Sequence, residues 1–328
     1  MIRLLVALTL LLALLVAASL AFGDVPLTFR ELYSAITGTG DPDPQSTMIV
    51  LGLRLPRVLL ALLVGTALAT AGTITLAIMR NPLAEPGVLG INSGAAAAAM
   101  AVIVLVQDPP VALLQAAGFF GAAAMALAVY AFSWRSGTSS LRIILVGIGL
   151  SSLATAGTTF LSAFGDIGDV QRAMVWLAGS VYDASMVRVR LLALWLVVPL
   201  ALAFLAAREL DLIRFGDSSA KSLGQPVDRV RGLMIVLVTV LSGAAVAVSG
   251  LIGFVGLVAP HIARRLVGAS HVRILPVAAL VGACLVVAAD LVGRVILPPA
   301  QLPAGIVTGL VGAPFFAYLL WGRSRGHG

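Results

Sequence analysis

Long apolar runs separated by short polar segments extend along the whole chain. The runs are residues 4–22, 48–79, 88–106, 111–133, 142–163, 189–207, 232–249, 254–267, 275–297 and 304–321. A helix that spans a bilayer needs about 20 apolar residues, and backbone in hydrocarbon must be paired inside helices or a closed barrel. The runs lack the alternation typical of barrel strands. The pattern therefore predicts an all-α, polytopic membrane protein with about ten transmembrane helices.

Composition supports one membrane domain. The chain is 60% hydrophobic and 11% charged, whereas soluble domains average about 25% charged residues. Ten spans leave no room for a soluble domain, so residues 1–328 are predicted to form a single transmembrane domain. The first run follows Arg3 and ends in small residues, like a secretory signal. It is longer than a typical signal core, which favours a retained first span.

Basic residues predict the orientation of the spans. The 21 basic residues divide two to one between the two predicted faces when the N-terminus is placed inside, so both termini are predicted to be cytoplasmic. Arg54, Arg57 and Arg294 lie at helix ends on the opposite face. Snorkelling to lipid phosphates explains them as well as a positive surface for an acidic partner does. Charge alone leaves both interpretations open.

Three segments have additional predicted features. The second run has 32 residues, or about 48 Å of helix, so it must tilt, project from the bilayer, or break at Gly65 or Gly72. Residues 208–231 form the longest polar stretch, in which Gly216, Gly224 and Pro226 can delimit two short helices. The apolar centre of residues 163–185 is too short to span and predicts a short helix at the outer mouth.

Few residues in the spans can carry chemistry. Asp290 is the one acidic residue well within an apolar run, and Arg294 lies one helical turn further on. This spacing indicates an ion pair or, alternatively, an ion-coupling carboxylate. Residues 216–222 fail the phosphate-loop pattern because Ala220 precedes Lys221 where glycine is needed. No metal site is predicted, and energy for uphill transport would have to come from a partner.

Several long motifs resemble one family. RLPRVLLALLVGTALATAG, RNPLAEPGVLG, WLAGSV, GDSSAKSLG, GLIGFVGLVAPHIARRLVG, ADLVGR and LPAGIVTGLVGAPFFAYLL occur in the order expected of FecCD-type permeases. These are the membrane subunits of bacterial ABC importers for ferric siderophores, haem and cobalamin. The resemblance covers about residues 48–322. It implies a type II importer fold in the cytoplasmic membrane and a second permease subunit, identical or paralogous. It also implies two cytoplasmic ATPase subunits and a periplasmic or lipid-anchored binding protein.

The resemblance also assigns roles by position. Arg54, Arg57 and Arg294 resemble the arginines that dock the binding protein, which favours the second interpretation above. Asn81 and Leu83 resemble one half of a cytoplasmic gate, and Thr138, Ser139 and Ser140 resemble the other half. Residues 216–224 resemble the cytoplasmic segment that couples the permease to the ATPase, and the positions that carry this resemblance are Gly216, Asp217, Ala220, Leu223 and Gly224. Ala71, Leu76 and Gln301 replace polar or acidic family residues, which makes the pathway or its outer rim more neutral.

The sequence therefore predicts a non-catalytic permease subunit of an importer for a ferric siderophore or similar iron chelate. Haem and cobalamin are alternative cargoes within the same family. This chain is expected to bind no cofactor, and ATP and Mg²⁺ are expected in the partner ATPase. A self-sufficient secondary transporter is the alternative from another class, and a membrane-embedded enzyme is a third. Paired carboxylates or a nucleophile constellation, which an enzyme would need, are not evident in the sequence.

Overall fold

The protein is helical. A computed structural model describes residues 1–39, 43–135, 137–297 and 299–324, with residues 318–324 described by their backbone alone. Within these ranges there is no strand. The helices are α1 (Ile2–Ala21), α2 (Phe29–Thr37), α3 (Pro44–Thr47), a π-helical turn (Met48–Arg54), α4 (Leu55–Met79), a 3₁₀ turn (Pro86–Leu89), α5 (Ile91–Leu105), α6 (Val111–Ser133), α7 (Ser140–Phe164), α8 (Ile167–Leu177), α9 (Met186–Leu205), α10 (Ala207–Ile213), α11 (Asp217–Ser222), α12 (Val227–Ser249), α13 (Val255–Val267), α14 (His271–Val295) and α15 (Ala304–Ser324).

Every predicted apolar run corresponds to a helix, which confirms the all-α membrane fold. Seven helical segments in the described residues are long and apolar enough to cross a bilayer: α1, Pro44–Met79, α6, α7, α9, α12 and α14. Helix α5 and the part of α15 with described side chains are apolar but shorter. Helix α13 has 13 residues, which is too few to cross a bilayer core alone.

The second apolar run forms one continuous helical segment of 36 residues, Pro44–Met79. The helix continues through Gly65 and Gly72. The predicted option of a break at one of these glycines is therefore wrong, and tilting or projection from the bilayer remains. Its irregularity is the π-helical turn that ends at Arg54. Pro56 explains the position of this turn, because a proline ring clashes with the carbonyl four residues before it and cannot donate to that carbonyl. The wider π turn relieves this clash.

Helix α4 is the central element of the fold. It packs against α14, α12, α13 and α9, and most of its residues are buried. Its two glycines permit this packing. A Cβ on Gly72 would lie 1.8 Å from the carbonyl oxygen of Gly256 in α13, and one on Gly65 would lie 2.2 Å from that of Gly282 in α14. Small residues at such crossings let helix backbones approach closely in a membrane.

The short helices lie at the two ends of α4, which we call the Arg57 end and the Arg80 end. Two short helices, α10 and α11, form in the segment 208–231 as predicted, and Arg80 approaches Asp217 of α11. The predicted short helix in 163–185 is α8. The loop after α8 brings Tyr182 over Arg57, with 5.3 Å between the guanidinium carbon and the ring centre. The two polar segments therefore lie at opposite ends of the central helix.

Candidate functional sites at the two ends of the central helix

A buried ion cluster occupies the Arg57 end. The carboxylate of Asp290 on α14 accepts hydrogen bonds from Arg57 Nε at 2.9 and 3.1 Å, and it lies 2.8 Å from Arg57 Nη2. Arg294 Nε lies 3.3 Å from the same carboxylate, so the predicted pair with Asp290 forms. Arg57 also donates to Gln301 Oε1 at 2.8 Å, and the Gln301 amide donates to Asp24. One carboxylate therefore holds two guanidinium groups in a largely dry site.

Two of the arginines hold the end of helix α1. Arg54 donates to the carbonyl oxygens of Leu20 and Ala21 at 2.7 and 2.8 Å. Arg294 donates to the carbonyl of Ser19 at 3.2 Å and to its hydroxyl. The last carbonyls of a helix have no partner within the helix and carry partial negative charge, so guanidinium groups stabilise them. The arginines bond to protein atoms here, which does not fit snorkelling to lipid phosphates.

The three arginines predicted to dock a binding protein are thus brought together, but they are mostly enclosed. Arg54, Arg57 and Arg294 are 5%, 7% and 5% exposed. They line a pocket of about 300 Å³ together with Asp24, Tyr182, Asp183 and Gln301. Tyr182 is exposed and covers Arg57. A docking partner would meet Tyr182 and the pocket rim before it reached the guanidinium groups.

At the Arg80 end, the central helix ends next to the predicted gate loop. Helix α4 ends at Met79, and Arg80 adopts a left-handed conformation with φ of 49°. Asn81 Oδ1 then accepts the backbone N–H of Leu83 at 2.9 Å, a local turn that replaces helical bonding. The hydroxyl of Ser140, in the first turn of α7, donates to the carbonyl of Ile78 at 3.0 Å. The two predicted halves of the gate therefore lie against the same helix end.

The gate loop is also bound to α12. The backbone N–H and hydroxyl of Thr138 donate to Asp228 Oδ1 at 2.8 and 2.7 Å. Arg231, one turn further along α12, donates to the Thr138 hydroxyl at 2.9 Å and to its carbonyl at 3.2 Å. Its other terminal nitrogen donates to Asp217 of α11 at 2.8 Å. A single guanidinium group therefore bonds both the predicted gate loop and the predicted coupling segment.

The coupling segment forms one short helix whose predicted residues have different environments. Gly216 caps α11 with φ of 106°, and Gly224 follows it with φ of 84°. Ala220 is fully buried, whereas Leu223 is 66% exposed. Of the two, only Leu223 offers an apolar side chain to a partner, and Ala220 instead fits α11 against the rest of the protein.

Helix α10, which precedes the coupling segment, is bonded to the start of α14. Asp211 accepts a hydrogen bond from the backbone N–H of His271 at 2.8 Å, and its Oδ1 lies 2.7 Å from the ring Nδ1 of the same histidine. The Ser270 hydroxyl donates to the other carboxylate oxygen at 2.9 Å. Burial acts to raise the pKa of Asp211, but these bonds from His271 and Ser270 outweigh it and hold the pKa below its usual value. The ionised carboxylate therefore caps the start of α14 near neutral pH.

A stripe of hydroxyl groups lies on the outside of α7. Ser152, Thr155 and Thr159 are exposed and spaced three and four residues apart, so they share one face of the helix. Each hydroxyl donates to a carbonyl of its own helix, at 2.9 Å in all three cases. Their donors are thus satisfied, while their oxygens remain able to accept from water or a passing solute.

Sequence reasoning misses the two residues that connect the Arg80 end. In the sequence Arg231 is only one of the basic loop residues, and no motif gives Asp228 a role. The available signal is the position of both residues just before the apolar run 232–249, on one face of the predicted helix start. The hydroxyl stripe of α7 is visible as Ser and Thr inside an apolar run, but its exposed side depends on the packing of α5 and α6 against α7.

The fold and these two ends define a multi-pass membrane permease. The chain belongs to the FecCD transport family, whose model matches residues 10–322. It is 38% identical over 316 residues to the iron-uptake system permease protein FeuC of Bacillus subtilis, covering 94% of each chain. It is 40% identical over 319 residues to the hemin transport system permease protein HmuU of Yersinia pestis, covering 95% of this chain and 93% of that one.

A solved structure has the same fold over the full length. It is described as an inward-facing conformation of a metal-chelate type ABC transporter. The TM-score is 0.88 at 31% identity, and the match covers 98% of this chain and 100% of the other. The predicted family and permease fold are thereby confirmed.

Proposed function

We propose that this chain is the transmembrane permease subunit of a bacterial ABC importer that moves a ferric siderophore or similar iron chelate inward across the cytoplasmic membrane. The observation that carries the proposal is the full-length similarity to iron-uptake and hemin permeases and to a metal-chelate transporter. In this assembly it pairs with a second permease subunit, identical or paralogous. Two ATPase subunits bind ATP and Mg²⁺ on the cytoplasmic side, and a binding protein delivers the chelate from outside.

Orientation follows from the charged ends. The Arg80 end, with α10 and α11, faces the cytoplasm together with both termini, because the majority of basic residues then lie inside. The Arg57 end faces outward and receives acidic residues of the binding protein at the pocket of Arg54, Arg57 and Arg294. Leu223 and the exposed side of α11 rest on an ATPase subunit. Asn81, Leu83 and the Thr138–Ser140 loop form this subunit's half of the inner gate.

The passage runs beside α7, between the two permease subunits. Its hydroxyl stripe is neutral and its donors are already bonded within the helix. Its hydroxyl oxygens can accept weak hydrogen bonds from a polar cargo without binding it tightly. Weak binding fits a passage, because in this proposal the binding protein is the component that binds the cargo with high affinity. Conduction requires a surface from which the cargo leaves easily.

The environment of Asp290 argues against a self-sufficient secondary carrier. A carboxylate that shuttles protons or sodium must gain and lose its ion during transport. Asp290 is 2% exposed and is bonded to Arg57 and close to Arg294. Both oxygens of this carboxylate lie against guanidinium nitrogens, Oδ1 against Arg57 and Oδ2 against Arg57 and Arg294, so neither is free to take up a passing ion. Asp290 therefore serves the structure of the outer end and does not drive transport.

Removal of the gene from its bacterium tests the proposal. Cells are supplied with one iron source at a time, namely one of several ferric siderophores, ferric citrate or haem. Uptake of cobalamin, which is not an iron source, is measured in a separate medium. We expect uptake of one iron chelate to be lost and to return when the intact chain is supplied. Haem is the second candidate cargo because of the similarity to the hemin permease. Loss of haem uptake alone would identify haem, and not a ferric siderophore, as the cargo. Unchanged uptake of every compound would reject the proposal.

A further inference from the structure

Arg231 is a buried cation at the junction of three segments. Its side chain has no exposure, and it lies near the start of α12 between Asp217 of α11 and Thr138 of the gate loop. Helix α11 packs on α10 and α12. Arg231 is therefore a direct polar connection from the coupling helix to the gate loop.

The connection continues to the central helix. Thr138 is fixed by Asp228, and Ser140 in the same loop donates to the carbonyl of Ile78 in the last turn of α4. Arg80, directly after α4, lies 3.6 Å from Asp217. The contacts thus form a closed ring that runs from α11 through Arg231 to the gate loop, on to the end of α4, and back to α11. A displacement of any member strains bonds to the next one.

Stability alone does not account for an arginine at this position. A buried ion pair is often no more stabilising than apolar side chains of similar volume, because both charges lose their water. The Nε donor of Arg231 is moreover buried without a hydrogen-bond partner among the described residues, and such a group is costly. An arginine at this position can bridge two segments, because its two terminal nitrogens bond to both at once.

We propose that Arg231 is a positioning residue that transmits movement of α11 to the Thr138–Ser140 loop, so that the ATPase-facing helix and the inner gate move together. This inference rests on the proposed function of the chain as an ABC importer permease. The buried guanidinium cannot give up Asp217 without leaving an unpaired charge in a dry site. When an ATPase subunit displaces α11, Arg231 follows Asp217, and Thr138 follows Arg231.

The test uses the complete importer, with its ATPase subunits, second permease and binding protein, in liposomes. Arg231→Met is compared with Arg229→Met, which removes an exposed arginine two residues away on the same helix. The readouts are chelate imported per ATP hydrolysed and the thiol reactivity of a Ser139→Cys reporter with and without trapped nucleotide. The native Cys284 is buried and is replaced by alanine in every variant.

We expect Arg231→Met to keep hydrolysing ATP while chelate imported per ATP falls by about fivefold or more, the scale of a typical coupling energy. The reporter should then no longer respond to nucleotide, whereas Arg229→Met should behave like the parent. Asp217→Asn keeps the shape of the partner and removes its charge, and it should lower the ratio in the same direction. It serves as the deciding variant if Arg231→Met does not assemble.

Parental coupling and a parental reporter response in Arg231→Met would overturn the inference. The same result in Asp217→Asn would overturn it if Arg231→Met fails to assemble. A failure of the proposed function looks different, because the parent complex would then import no chelate at all. The reporter measurement does not depend on the cargo and still decides whether Arg231 connects α11 to the gate loop.

Discussion

The three arginines at the Arg57 end form structural hydrogen bonds in addition to their proposed role in docking. Arg57 is bonded to Asp290 and Gln301, while Arg54 and Arg294 hold the last carbonyls of α1. The pocket that they line opens beside Tyr182 and Asp183. A substitution that reverses charge would place a carboxylate next to Asp290 and damage the fold itself. A test of docking therefore needs a change that removes the charge but leaves Asp290 a hydrogen-bond donor.

The docking role is tested by Arg57→Gln, since glutamine keeps a donor for Asp290 but carries no charge. Charge at an interface acts mainly on the rate of encounter, so capture of the binding protein should slow several-fold and become less sensitive to salt. Arg172→Gln is the control, because Arg172 pairs with Asp108 and Asp169, which lie outside the lining of this pocket. Surface plasmon resonance on the permease in nanodiscs measures both. Equal capture rates for Arg57→Gln and the parent would leave these arginines a purely structural role.

At the scale of elements, the close crossings of α4 determine how tightly the bundle closes. Gly72→Ala would force α4 and α13 apart, because the added Cβ would overlap the carbonyl of Gly256. We expect a clear fall in the midpoint of thermal unfolding, since an overpacked crossing costs on the order of 1–3 kcal/mol. Gly149→Ala on α7 is the matched control, because a Cβ there meets nothing within 4 Å. Equal midpoints for the two variants would show that the crossing is not tight.

A substitution next to the short helix α11 can separate folding of the permease from its association with the ATPase. Leu223→Ser removes an exposed apolar side chain without touching the buried Ala220, so the permease should fold normally while its association with the ATPase weakens. Leu105→Ser, which removes an exposed apolar side chain at the last residue of α5, should have little effect. Co-purification and ATP hydrolysis by the assembled complex measure both variants. Unaltered association in Leu223→Ser would move the ATPase contact away from this side chain.

Ala220 requires a different interpretation from the one the motif suggests. A bulky residue such as tryptophan there would have to displace α11, because Ala220 has no exposure. Loss of coupling in such a variant would follow from a displaced helix, whether or not Ala220 touches the ATPase. Leu223 is therefore the more informative position.

At the scale of the whole molecule, the helices could be predicted from sequence because their signal is local. Each apolar run is long enough to specify its own helix, and glycines with proline delimit α10 and α11. The ion cluster could be predicted only in part. The Asp290–Arg294 pair lies within one helix, whereas Arg57 and Asp290 are 233 positions apart and meet only because α4 packs against α14. The link through Arg231 joins residues from three segments, so no local pattern indicates it.

In the proposed importer, this chain takes its energy from a partner. Asp290, a buried acidic residue within a described span, is held by Arg57 and Arg294. At the Arg80 end, Leu223 directly after α11 is exposed. In the proposed importer the permease supplies a passage and two gated ends, and the ATPase supplies the energy. In the proposed mechanism, the ATPase moves α11, and Arg231 transmits this movement to the gate loop.

The most direct test of this division of labour is uptake into liposomes under two conditions. The purified permease alone is given a proton or sodium gradient, and the complete complex is given ATP with its loaded binding protein. We predict that the chain alone hydrolyses no ATP and accumulates no chelate under either gradient, while the complete complex accumulates chelate only when ATP is hydrolysed. Accumulation by the chain alone, driven by an ion gradient, would contradict the importer mechanism.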